Sequence, residues 1–135
     1  MYAAIGGHLD ILCRPLTMTK LPHVIMGNDR LTAINDTTQM DLQGEATSEF
    51  DGQRHISGTG KQAQFLRAAH ASAGGKSFRC LSSTCERRGV RTSLIVLNLT
   101  PGNVVSTSRS DMMHVVIEHA IVNLKGKSVP SEPAR

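Results

Sequence analysis

Aromatic residues are nearly absent: three Phe, one Tyr and no Trp make up 3% of the 135 residues. A core built without them must be aliphatic, and the aromatic platforms on which nucleic-acid bases stack are almost excluded. Cysteine is sparse as well. Three cysteines, an odd number, cannot complete a disulfide framework and fit a reducing compartment. Long apolar runs are also missing: the longest uncharged stretch, 92–108, carries Asn98, Pro101, Gly102 and Asn103 and cannot cross a bilayer. No basic region precedes the small apolar patch near Met1, so neither a secretory signal nor an Arg-rich transit peptide is read. The expected compartment is the cytoplasm, or the mitochondrion if the chain derives from a longer eukaryotic precursor. What remains, 39% hydrophobic and 19% charged with no internal repeat, is the composition of one globular domain.

The net charge of +4 conceals an asymmetry. Residues 1–53 hold three basic and seven acidic side chains, net −4, whereas residues 54–91 set eight basic side chains against Glu86 alone, net +7. A basic middle segment beside glycine-rich turns suits an anionic small ligand or phosphate as much as nucleic acid, and a solvated basic surface is the plain alternative.

Short aliphatic and β-branched runs alternate with one clear helix. Strands are expected over 8–13, 31–34, 39–42, 76–81, 93–99, 104–107 and 114–121, and a single helical turn over 22–26, closed by Gly27-Asn28-Asp29. The stretch 61–71, KQAQFLRAAHA, has good helix formers with Phe65, Ala68 and Ala69 at i, i+3, i+4 spacing, and Ala73-Gly74-Gly75 stops it. The pattern is mixed α and β with an excess of strand.

Most motifs of known chemistry fail on spacing. The pairs Gly60-Lys61 and Gly75-Lys76 lack the earlier glycine of a phosphate-binding loop, since His55 and His70 stand there. Cys80 and Cys85 have no second Cys or His pair at zinc-finger distance, and His114 and His119 fall on opposite sides of a strand, so no metal site is expected. No G-x-S-x-G elbow is present. More informative is Gly58-Thr59-Gly60 directly before the helix, where backbone N–H groups can approach a ligand oxygen without an intervening Cβ and the helix dipole adds positive potential. A turn that uses glycine only for its backbone freedom is the structural alternative.

Read in order, Ile34-Asn35, Asp41-Leu42-Gln43-Gly44, Ser57-Gly58-Thr59-Gly60 with Gln62, Phe65, Arg67 and Ala68, then Ser72 and Gly74-Gly75-Lys76-Ser77 resemble the C-terminal domain of the acetyl-CoA hydrolase/transferase family. Downstream, Arg109, Asp111, Val115-Val116, Glu118, Ile121, Leu124 and Gly126-Lys127-Ser128 are similar to that family's R-x-D-x-x-x-V-V-T-E-x-G-I-A-x-L-x-G-K-S run. The likeness extends over about residues 8–135, and its weight lies in the number of ordered matches rather than in one motif.

The resemblance implies an α/β fold of the CoA-transferase (NagB/RpiA-like) type, a mixed sheet with flanking helices, and a single domain over 1–135 that is truncated at both ends. It implies ping-pong transfer of CoA between carboxylic acids through a glutamyl-CoA thioester, with acyl-CoA and a short carboxylic acid as substrates and no permanently bound cofactor. The substrate-binding residues carried over are Asn35, Gly58, Gly60, Lys61, Gln62 and Lys76. No catalytic residue is assigned, because the family's glutamate motif, H-T-E-M or similar, lies upstream of the matched region and does not occur here. Of Glu45, Glu49, Glu86, Glu118 and Glu132, only Glu118 falls on a family signature, where it is expected to be a strand residue that accepts hydrogen bonds. Lys61 and Gln64 depart from the family's G-x-G-G-Q-x-D-F loop, replacing a glycine and an aspartate. The expected partner is a missing N-terminal half or a second copy, with neither nucleic acid nor membrane. A noncatalytic anion- or nucleotide-binding module built on 54–91 is the alternative.

Overall fold

The computed structural model describes residues 5–51, 54–58 and 62–128. Helices α1 (Leu16–Thr19), α2 (Pro22–Met26) and α3 (Gln62–Ala71) accompany strands β1 (Thr32–Asp36), β2 (Gln39–Asp41), β3 (Ala46–Thr47), β4 (Phe50–Asp51), β5 (Arg54–His55), β6 (Lys76–Cys80), β7 (Thr84–Arg87), β8 (Val90–Ser93), β9 (Ile95–Val96), β10 (His114–Ile117) and β11 (Ala120–Asn123). Pro22 opens α2 with a preset φ, and the Asn28 amide donates to the Val24 and Ile25 carbonyls at 3.3 and 3.0 Å to close it. That turn buries Ile25 beside α3.

Helix α3 forms where the sequence places Ala, Leu, Gln and Arg without a β-branched residue, and it buries Leu66, Ala68 and Ala69. Full burial of one such leucine stabilises by about 1.5–3 kcal/mol. The stop is steric. Gly74 takes φ +69°, and a Cβ on Gly75 would run into the Ala69 carbonyl oxygen. Ser72 ties this end to the α2–β1 connection, donating to the Asn28 carbonyl at 2.6 Å and accepting from the Leu31 N–H at 3.2 Å.

The main sheet has the order β1-β6-β10-β11, with β1, β6 and β10 parallel and β11 returning antiparallel. Register places Ile34, Phe78 and His114 side by side on one face, and Asp36, Cys80 and Val116 at the carboxyl end of the same face. Ala33, Ser77, Arg79 and Val115 occupy the other face, where all four are buried and α3 packs. A three-stranded sheet, β3-β2-β9, supplies the rest of the core: Met40, Ala46, Leu81, Met112 and Val115 form one cluster, flanked by Leu94, Ile95, Ile117 and Leu124.

Several expected strands take other forms. Residues 8–13 are turns and irregular chain. Residues 104–107 yield only a bridge from Thr107 to Ala46. The 93–99 run breaks at Leu94: β8 ends in a hairpin with β7, and Leu94 turns its carbonyl to the Met40 N–H at 2.9 Å as β9 joins the second sheet. The 114–121 run is a hairpin rather than one strand, because Glu118 and His119 reverse the chain between β10 and β11.

Candidate functional site

The carboxyl ends of β1, β6 and β10 stop together, and outside them lies an open cleft of about 560 Å³ lined by Asp36, Thr37, Cys80, Leu81, Val116 and Glu118 among others. A crevice at the carboxyl ends of parallel strands is where open α/β sheets bind ligands, because the chain there leaves in loops free to vary around a fixed edge.

The loop before α3 is tied to this edge. The Gln62 amide donates to the Asp36 carbonyl at 3.1 Å, and the Ser57 hydroxyl donates to the Ser48 carbonyl at 3.2 Å. The Ser48 hydroxyl in turn reaches the Asp36 carbonyl at 3.2 Å. Gly58 follows Ser57 in this chain of contacts. It is exposed, and a Cβ built on it would meet nothing within 4 Å. Asn35, half-buried on the α3 face one residue before Asp36, keeps its buried Oδ1 without a hydrogen-bond partner among the described residues.

Asn35, Gly58 and Gln62 are therefore brought to one edge. Lys76 is not: it opens β6 beside Thr32, at the opposite end of the sheet and about 13 Å along the strand from Cys80, at roughly 3.3 Å per residue. Gly60 and Lys61 lie outside the described residues.

Glu118 sits at the rim of the cleft in the β10–β11 turn rather than in a strand, and there it accepts two hydrogen bonds from Ser83, from the backbone N–H at 2.8 Å and from the hydroxyl at 2.6 Å. The Ser83 hydroxyl first, then the backbone N–H groups of Glu118 and Ser83, hold its carboxyl down at about 2. A carboxylate so occupied is a weak base and a weak nucleophile, but a firm clamp between the β6–β7 and β10–β11 loops. Burial, with Asp36 nearby, pushes the Cys80 thiol up.

Asp36 and Ser83 belong to no short pattern and escape motif reading, whereas Glu118 is read on the family signature and Cys80 only as half of a failed zinc pair. The signal that could have found them is positional: each stands at or just past the end of a strand in the parallel set.

The basic segment does not form one free patch. Arg67 pairs with Asp111 at 3.0 Å, Arg87 with Asp51 and Arg91 with Glu86 at 3.9 Å, while Arg79 is buried.

The model of the acetyl-CoA hydrolase/transferase C-terminal domain matches residues 1–134. A probable butyrate:acetyl-CoA coenzyme A-transferase from Syntrophomonas wolfei is 43% identical over 128 residues, 95% of this chain and 29% of the relative. Among solved structures, RipA from Yersinia pestis superimposes with a TM-score of 0.81 at 37% identity, over 94% of this chain and 28% of that one. A 4-hydroxybutyrate CoA-transferase from Porphyromonas gingivalis does so with a TM-score of 0.70 at 30% identity, over 95% and 27%. The chain thus spans less than a third of the length of the proteins it matches, with their mixed α/β fold. With the ordered motifs from Asn35 to Ser128 and the model match over nearly every residue, the chain belongs to the acetyl-CoA hydrolase/transferase family and corresponds to its C-terminal domain.

Proposed function

We propose that this chain is the C-terminal portion of an acyl-CoA transferase or hydrolase that moves CoA between carboxylic acids, supplying the CoA-facing loop and cleft while the nucleophilic glutamate comes from outside it. The observation that carries the reading is the coincidence of the family match with the bond from Gln62 to the Asp36 carbonyl, which holds the first residue of α3 beside the cleft. In this reading Gly58 and Gly60 let main-chain N–H groups approach the thioester, Gln62 braces the loop, and Asn35, one residue before the cleft edge, supports the same site from the α3 face. The external glutamate exchanges with acyl-CoA, so that the acyl–sulfur bond breaks, a glutamyl–CoA thioester forms and the acyl group leaves as its carboxylate with one glutamate oxygen; the second carboxylate then takes the CoA by the reverse exchange and returns an oxygen to the glutamate. No permanently bound cofactor enters this scheme.

Titration calorimetry with free CoA tests the reading. Saturable binding that weakens about fivefold or more in Gln62→Ala and Asn35→Ala is expected, that factor being the worth of one hydrogen bond. Arg88→Ala, at the exposed tip of the β7–β8 hairpin, serves as the control and should leave affinity unchanged. No binding, or equal affinity in all variants, would place CoA elsewhere.

A further inference from the structure

The segment before α2 is built as though something lay against it. Helix α1 has four residues, no side-chain cap and no buried residue, which is too little to sustain a helix in water. Around it Leu9, Leu12, Leu16, Met18, Leu21 and Val24 are all exposed, Leu9 completely. So dense a run of exposed aliphatic side chains in one short segment marks an interaction surface. Within it, Leu16, Thr17, Lys20 and Leu21 form an open groove of about 480 Å³ with Gln64 of α3. The Lys20 ammonium lies there, buried from solvent, and it has no hydrogen-bond partner among the described residues. An ammonium withdrawn from water without an acceptor is strongly disfavoured, so the groove suits an anion that reaches it.

We propose that residues 9–24 are a docking surface for the part of the CoA-transferase polypeptide that lies outside this chain, and that this part places a carboxylate, flanked by apolar side chains, on Lys20. The inference rests on the transferase reading and adds to it the surface and the chemistry of the contact. Two facts select this occupant. The chain covers only 29% of the Syntrophomonas wolfei relative and 28% of RipA, so most of such a polypeptide must pack somewhere on it. And the aliphatic run is much longer than a small anion would need, whereas a protein segment covers it while supplying the charge.

The test co-expresses this chain with the portion of the Syntrophomonas wolfei transferase outside its 128 matched residues, and measures the dissociation constant of the purified pair. Lys20→Met keeps the apolar stem and should weaken association by about 30-fold or more, the cost of stranding the partner's charge. Lys20→Arg should restore most of it, and Arg14→Met, an exposed charge in the same segment, should change little. Carbodiimide cross-linking of the unsubstituted pair should join Lys20 to an Asp or Glu of the added portion, a readout that does not depend on how the variants fold. Equal affinity of Lys20→Met, or no cross-link at Lys20, overturns the assignment and leaves the transferase reading standing. No association at all overturns both. A homodimer of this chain broken by Lys20→Met gives the surface to a second copy, and CoA binding lost in Lys20→Met without the added portion gives the ammonium to a phosphate; each overturns the proposal.

Discussion

Glu118 and Arg79 show opposite treatments of charge. The carboxyl of Glu118 drops from its ordinary 4.5 to about 2 through the bonds from Ser83, so its contribution to stability is complete above about pH 4.5 and is lost as pH falls through about 2. Calorimetric melts between pH 5 and pH 2 should therefore fall less steeply for Glu118→Gln than for the unsubstituted chain; parallel curves would show that the clamp contributes nothing. Arg79 is 1% exposed, donates to the Thr107 hydroxyl, and leaves its Nε and Nη1 without partners among the described residues. Burial pushes its guanidinium down to about 10, against the opposing pull of Asp111. An under-paired buried cation is a net cost, so Arg79→Met, of similar reach, should stabilise the chain by about 1–4 kcal/mol in urea unfolding. Destabilisation would mean that the guanidinium organises the core instead.

At the scale of elements, periodicity found what local chemistry dictates and missed what pairing dictates. The helix read over 61–71 is described from Gln62 to Ala71, and the turn over 22–26 coincides with α2, because helix formers, Pro22 and the Gly74-Gly75 stop all act within a few residues. The apolar register differs slightly, with Leu66 buried where Phe65 was expected and Phe65 only half-buried. Residues 8–13 have strand composition but no partner strand among the described residues, and composition cannot reveal that. The β7–β8 hairpin escaped for a different reason: its turn puts Arg88 at φ +52° before Gly89 at φ +77°, a conformation that Asn-Gly or Asp-Gly would announce and Arg-Gly does not. The candidate site was legible to the same extent. Gln62 reaches the end of β1, next to Asn35, because strand ends and helix starts converge there, whereas the place of Lys76 at the far end follows from parallel register. Gly75→Ala tests the helix stop, and the forced contact with the Ala69 carbonyl should cost about 1–3 kcal/mol in chemical unfolding, while Gly58→Ala, in open space, should cost little.

For the whole molecule, the main sheet is covered on one side only among the described residues. Parallel strands are normally buried on both faces, yet Ile34 and Ile121 on the face opposite α3 are 66% and 67% exposed, beside the Phe78–His114 stack. The chain alone should therefore self-associate or bind an apolar dye, and Ile34→Lys with Ile121→Lys should abolish either behaviour; a dye-silent monomer at every concentration in sedimentation would show that this face needs no cover. The central claim is that this chain frames the CoA site without holding the nucleophile. Mass spectrometry of the chain incubated with acyl-CoA and acetate tests it most directly: the account predicts no CoA adduct on Glu45, Glu49, Glu86, Glu118 or Glu132 and no transfer to acetate, and a glutamyl-CoA thioester on any of them that turns over to acetyl-CoA would contradict it.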